Sequence, residues 1–247
     1  MKGARVRGAR LDRALFERGL AASREKAQAL IMAGHVRVGG ETVRRPDRPL
    51  QPDEEIEVIP GPEYASRGGD KLAPALDALG IKVEGRICAD VGASTGGFTD
   101  VLLRRGAVRV YAIDVGRGLM HWRLRTDPRV VLMERVNARR LERLPEPVSL
   151  VTIDVSFIGL DKVLPAIRRS ASGAEVIALF KPQFEVGPAR VGKKGVVNDP
   201  EVVAAALDAF RRWCQGNGYQ VVGEFPSPIP GAEGNREIFL RLEPVVS

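Results

Sequence analysis

Apolar positions in the first sixty residues recur at helical spacing and then give way to alternation. Leu11, Leu15 and Phe16 share one helical face in "RLDRALFERG", and Ala27, Leu30 and Ile31 share another in "SREKAQALIMAG". Ser23 stands where an N-cap belongs, followed by Lys26 rather than the acid of a full capping box, and Gly34 ends the second helix. In "HVRVGGETV", Val36 and Val38 alternate with polar residues about Gly39-Gly40, which predicts a hairpin with a tight primed turn, and "EEIEVIP" is one more short strand. The pattern therefore predicts a small α+β module over residues 1–59. "PGPEYA", residues 60–65, carries two prolines and a glycine and reads as a linker.

From residue 66 to 247 the pattern is a regular alternation of apolar runs and amphipathic stretches. "GRICADVG", "RVYAIDVG", "RVVLME", "VSLVTIDVSF" and "EVIALFKPQF" read as strands; "GGFTDVLLRRG", "LDKVLPAIRRS" and "DPEVVAAALDAFRRWCQGNG" read as helices between them. Such alternation predicts an α/β domain with a largely parallel sheet. "YQVVGEFPSP" and "REIFLRLEP" close the chain as sequential strands joined by "IPGAEGN", an expected antiparallel edge pair.

Composition narrows the class. The 247 residues are 44% apolar, enough for a real core, yet contain no run long enough to span a bilayer, and the basic start has no apolar stretch of a signal peptide. A soluble cytoplasmic protein is the expectation, with no membrane partner. Cys88 and Cys214 are too few for a disulfide framework and lack the neighbours of a zinc site, so no metal is expected. The net charge of +7 is carried by residues 1–48, where 12 Lys and Arg face 5 Asp and Glu. That distribution suits a polyanionic partner for the N-terminal module.

In "DVGASTGGFTD" a glycine-rich turn leaves a strand and opens a helix, so its backbone N–H groups face a ligand. Gly92, Gly96 and Gly97 are expected to permit close approach, with Ser94 and Phe98 beside them. Asp114 ends the next strand, where a carboxylate accepts hydrogen bonds from ribose hydroxyls. Turn plus distal acid suits NAD, FAD and S-adenosylmethionine alike. "GASTGG" fails the spacing a dinucleotide turn requires, and Asp90 before it suits a cationic amino-acid end, which favours S-adenosylmethionine. Asn137, after the third strand, is placed either to reach an adenine or to cap a turn.

Four polar residues stand where strand ends are expected to converge: Lys71 in "SRGGDKL", Asp154 after "LVTI", Lys181 after "VIALF" and Glu237 before "IFLRL". Charges at the ends of buried strands are costly unless paired, and burial with a partner is how a lysine is tuned for proton transfer. The loop "EVGPARVGKKGVVND" adds Arg190, Lys193 and Lys194 among glycines, an expected clamping loop for a phosphate backbone.

The N-terminal pattern resembles an S4 domain, a small RNA-binding unit, which implies that Arg10, Arg13, Arg24, Lys26 and Arg37 line one RNA-contacting face. Lys71, Asp154, Lys181 and Glu237 resemble the K-D-K-E tetrad of the RrmJ/FtsJ-like 2′-O-ribose methyltransferases. With "SRGGDKL", "DVGASTGGFTD", "DVSFI", "LFKPQFEVG" and "GNREIFL" in order, the chain is identified as a member of the TlyA family, also described historically as haemolysin A. The resemblance implies a Rossmann-like class I methyltransferase sheet with helices on both faces, preceded by the S4 domain. It further implies S-adenosylmethionine-dependent 2′-O-methylation of ribosomal RNA at cytidine, with ribosomal RNA or ribosomal subunits as partners and the tetrad as catalytic residues. The cofactor site expected here comprises Asp90, Gly92, Ser94, Gly96, Gly97, Phe98, Asp114, Asn137 and Asp154. A non-catalytic RNA-binding assembly factor retaining the fold is the alternative. A membrane-perturbing protein is disfavoured, because no basic amphipathic helix with a continuous apolar face is evident.

Overall fold

The computed structural model describes residues 9–51, 53–59, 63–192 and 194–245. The chain divides into two compact units, Met1–Glu63 and Tyr64–Ser247.

In the first unit, β1 (Ala9–Arg10) leads into α1 (Leu11–Glu17) and α2 (Arg24–Met32), followed by β2 (Val36–Val38), β3 (Glu41–Thr42), β4 (Pro49–Leu50) and β5 (Ile56–Val58). Leu11, Ala14, Leu15, Ala27, Ile31, Val36, Val38 and Leu50 form its core. Phe16 departs from expectation: it is 47% exposed, because Ala14 completes the i, i+3, i+4 stripe with Leu11 and Leu15 and leaves Phe16 on the flank. Ser23 caps α2 as expected, its Oγ accepting from the Lys26 N–H at 3.1 Å. Gly39 and Gly40 have φ of 58° and 83°, the two positive angles of a type I′ turn, and β2 pairs antiparallel with both β3 and β5.

The second unit opens with α3 (Arg67–Ala78). It then alternates through β6 (Ile87–Val91), α4 (Gly97–Arg104), β7 (Arg109–Asp114), α5 (Trp122–Arg125), β8 (Val130–Glu134), β9 (Leu150–Ile153), α6 (Leu160–Ser170), β10 (Glu175–Phe180) and α7 (Pro182–Glu185). It ends with α8 (Pro200–Gly216), β11 (Tyr219–Pro226) and β12 (Ile238–Pro244). The sheet runs β11-β12-β10-β9-β6-β7-β8, parallel from β10 to β8. The closing pair is antiparallel as expected, but β12 alone opposes the rest, since it inserts between β11 and β10.

Along β10, Val176, Ala178 and Phe180 join α6 and α8 in one core, while Ile177 and Leu179 join α3 and α4 in another. Both faces are covered by helices, which is why these strands read as unbroken apolar runs. Strand order reverses between β6 and β9, opening a crevice at their carboxyl ends. Every connection between the parallel strands leaves from that end, and β12, being antiparallel, begins there, with Ile238 opposite Phe180.

Helix α3 was not legible as a helix, because Gly68, Gly69 and Pro74 all disfavour one. Ser66 caps it, and Leu72, Ala73, Ala75 and Leu76 bury its inner face. Gly69 is demanded by packing: a Cβ there would lie 2.2 Å from Cγ of Tyr64.

Candidate active site

The four expected charges form two ion pairs. Lys71 donates from Nζ to Glu237 Oε2 at 2.6 Å, joining α3 to the residue that enters β12. Lys181 Nζ lies 2.6 Å from Asp154 Oδ1, a charge contact, while its aligned hydrogen bond goes to Ser156 Oγ at 3.1 Å. Lys71 therefore stands on a helix, not at a strand end. The side chains of Lys181 and Glu237 are 9% and 3% exposed, so each of these charges leaves water against a partner, Asp154 or Lys71, that keeps part of its surface exposed.

Lys71 and Asp154 line one cavity of about 260 Å³, with Gly68, Gly92, Ser94 and Phe98. Gly92, Ser94 and Asp154 also belong to a second cavity of about 290 Å³, whose walls include Asp114, Leu119, Asn137 and Val155. The two spaces adjoin across the turn after β6. A mostly apolar slot with a carboxylate at its rim thus leads to a charged chamber, a shape suited to a nucleoside whose other end is polar.

The turn itself is built by neighbours. Gly92 and Ala93 N–H groups bond to the Ile113 carbonyl at 2.8 and 3.1 Å, and Ser94, at φ 48°, donates its N–H to Asp114 Oδ2 at 2.8 Å. Asp114 Oδ1 accepts from Gly116 N at 2.6 Å, so each of its oxygens retains one further lone pair. The glycines serve internal contacts first. A Cβ on Gly92 would meet the Asp154 carbonyl oxygen at 2.3 Å, one on Gly96 would meet Leu124 at 2.3 Å and Met120 at 2.4 Å, and one on Gly97 would meet Ser66 Oγ at 2.2 Å. Gly92 and Gly97 also line the chamber, while the Cβ direction of Gly96 faces Met120 and Leu124.

Asp90 lies beneath the turn. Its side chain is fully buried, with Oδ2 accepting from Thr99 Oγ1 at 2.7 Å and Oδ1 from Thr152 Oγ1 at 3.1 Å, and the Thr99 backbone N–H also points at it. Burial pushes this carboxyl up to about 7. It ties the start of α4 to β9. Phe98 is likewise mostly core, its ring 5.9 Å from that of Phe239. Asn137 does what a capping asparagine does, accepting from Arg139 N at 3.0 Å, while it also lines the slot.

No periodic or charge signal marks Phe157 in the sequence. It is 90% exposed, adopts φ 65°, and packs its ring 5.4 Å from Phe184 beside the slot. A bulky residue held at positive φ stores strain of about 1–3 kcal/mol, the kind of cost retained where a side chain has work in solvent. Glu185, also unremarked in sequence, accepts from Leu160 N at 2.9 Å and so joins α7 to the start of α6; burial pushes its carboxyl up to about 7.

In the first unit, Asp12 is fully buried and organises the basic surface. Arg10 reaches it bidentately at 3.0 and 3.1 Å, Arg24 at 3.1 Å, Gln28 at 2.8 Å and the Arg13 N–H at 2.8 Å. Arg10 above all holds this carboxyl well below the usual carboxylate range. Lys26 is exposed on α2, Arg13 pairs with Glu17, and Arg37 stands on β2 across from Glu57. Arg190 and Lys194 are exposed in the connection between α7 and α8; Lys193 lies outside the described residues.

The strand order, the turn at the reversal point and the two buried pairs define a methyltransferase of the α/β class. Comparison with known proteins agrees: residues 64–243 match the FtsJ-like methyltransferase model and residues 9–56 the S4 domain model. The chain is 49% identical to the 16S/23S rRNA (cytidine-2′-O)-methyltransferase TlyA of Mycobacterium tuberculosis, over 96% of this chain and 90% of that one. It is 40% identical to Hemolysin A of Brachyspira hyodysenteriae over 92% and 97% of the two chains. A solved Streptococcus thermophilus structure that carries a hemolysin description superposes with a TM-score of 0.75 at 39% identity, over 97% of this chain and 89% of that one. The chain belongs to the TlyA family of S4-bearing, FtsJ-like methyltransferases. Among the described residues no helix is long and apolar enough to cross a membrane.

Proposed function

We propose that this protein methylates the 2′-hydroxyl of a cytidine in ribosomal RNA, using S-adenosylmethionine, in the cytoplasm where ribosomal subunits are found. One observation carries the reading: two lysine–carboxylate pairs, from α3 and the ends of β9, β10 and β12, each put one member, Lys71 or Asp154, on the wall of a chamber that adjoins a nucleoside-shaped slot.

The residues present fit the cofactor. Asp114 keeps acceptor capacity at the rim of the apolar slot, Asn137 and Val155 stand along its wall, and the turn at Gly92 and Ser94 separates it from the chamber. When bound, S-adenosylmethionine supplies a methyl group already activated on a sulfonium.

A ribose hydroxyl is a weak nucleophile at neutral pH, so the protein has to ease loss of its proton and align its oxygen. Lys181 meets the 2′-oxygen, taking its proton or stabilising the negative charge that develops there. Asp154 and Ser156 aim the amine. Lys71 and Glu237 hold the opposite wall, and Glu237 keeps the Lys71 ammonium oriented into the chamber. Exposed Phe157 offers a face on which a base can stack. Arg10 and Arg24, preset by Asp12, with Lys26, Arg190 and Lys194, meet phosphates.

The test is methyl transfer from labelled S-adenosylmethionine to separate small subunits, large subunits and deproteinised ribosomal RNA, followed by nucleoside analysis. Labelled 2′-O-methylcytidine is expected. A base-methylated product would overturn the roles of the two pairs, and cofactor binding without any transfer would favour an assembly factor.

A further inference from the structure

Asn235 is 1% exposed and joins two loops at the mouth of the chamber. Its Nδ2 donates to the Gly195 carbonyl at 2.8 Å, and its Oδ1 accepts from the Val197 N–H at 2.9 Å. Both partners belong to the connection that carries Arg190 and Lys194. The backbone of Asn235 belongs to the other loop: its carbonyl accepts from Gly231 N at 2.9 Å. Gly231 is pressed against the catalytic carboxylate, since a Cβ there would lie 2.5 Å from Glu237 Oε1. Pro230 in the same loop accepts from Arg67 of α3 at 3.2 Å, and Pro230 and Ala232 line the chamber.

One primary amide therefore satisfies a peptide donor and a peptide acceptor two residues apart, as a strand neighbour does. Asparagine alone has this pair of functions at this reach. Aspartate lacks the donor, leucine lacks both, and glutamine is a methylene longer. Among the described residues of the basic connection, Gly192 donates to Val196 and Gly195 to Gly192, contacts internal to its own turn.

We propose that Asn235 is a positioning residue that splints the basic connection to the Glu237 loop, so that cations meeting the RNA backbone and the Lys71–Glu237 pair move as one body. The inference rests on the ribose-methylation reading for its kinetic consequence, but the splint itself is testable without RNA.

The experiment compares full-length wild type, Asn235→Ala and Asn235→Asp by trypsin cleavage after Arg190 and Lys194, by cofactor dissociation constant and by steady-state kinetics on ribosomal RNA. Cleavage is expected to accelerate about tenfold in both variants, the KM for RNA to rise about tenfold, and cofactor affinity to stay within about twofold. In an Arg190→Ala/Lys194→Ala background, Asn235→Ala should add less than about twofold to KM, because the cations it positions are gone. Asn235→Asp should recover at acid pH, where a protonated carboxyl again donates to Gly195, while Asn235→Ala should not. Unaccelerated cleavage overturns the splint, as does a KM penalty that multiplies undiminished in the double-alanine background. If wild type methylates no RNA at all, the functional reading fails instead, and cleavage still decides the splint.

Discussion

Lys181 and Asp154 stand 2.6 Å apart although they leave different strands. Strands β10 and β9 are parallel neighbours, with Ala178 opposite Ile153, so their carboxyl ends open on the same edge of the sheet, β10 running two residues further. On the far side β12 begins at that edge, bringing Glu237 to Lys71 of α3. Sheet topology thus brings one member of each pair, Lys71 and Asp154, to one chamber and buries its partner behind it, where a fixed charge acts most strongly on a reacting oxygen.

Replacing Lys181 with methionine keeps the side-chain length and removes the amine. Turnover on RNA is expected to fall by about 10²–10⁴, the span of one general acid–base group. Cofactor affinity, measured by calorimetry, should change less than about twofold, because the slot lies beyond Lys181. Loss of cofactor binding in step with turnover would assign Lys181 to structure instead.

Phe157→Ala is expected to raise the KM for RNA about tenfold or more, since stacking one base on an aromatic contributes about 1–3 kcal/mol. Phe157→Gly should show the same kinetic loss yet melt higher than the alanine variant, because glycine occupies φ 65° without strain. Equal melting temperatures would count against strain at this position.

In the first unit, Asp12→Asn removes the charge that gathers Arg10 and Arg24. RNA binding by full-length protein should weaken about tenfold at low salt, although Asp12 is buried and touches no RNA, because charge-assisted hydrogen bonds contribute about 1.5–3 kcal/mol. Filter binding across a salt series checks this. Tighter binding, as expected from simple loss of a negative charge, would refute the organising role.

Asp90 predicts a pH dependence of stability. Its folded pKa, raised to about 7, lies above the ordinary value of 3.8, so the folded state binds more protons between those limits. Its contribution to stability is therefore greatest below about pH 4, is lost as pH rises toward 7, and is constant above. Asp90→Asn should flatten that decline by an amount on the order of 4 kcal/mol at most. Denaturant melts of both proteins at pH 4.5 and 7.5 measure the difference, and parallel curves would show that Asp90 is ionised when folded.

What the sequence determined by itself was everything set by spacing within one element or by residue type. The Ser23 cap, the Gly39-Gly40 turn, the unbroken apolar strands, the glycine turn after β6 and the four charged residues were all legible, because period, capping and charge are local properties. Tertiary packing decided the rest. Phe16 is exposed because Ala14 took its place in the stripe, and α3 is helical despite two glycines and a proline because Leu72, Ala73, Ala75 and Leu76 bury its inner face. Asp90 faces two threonines, Phe157 faces solvent and Lys71 finds Glu237, since these depend on what another part of the chain places opposite each side chain. Partners separated by up to 166 positions are set by strand order, which no local period encodes.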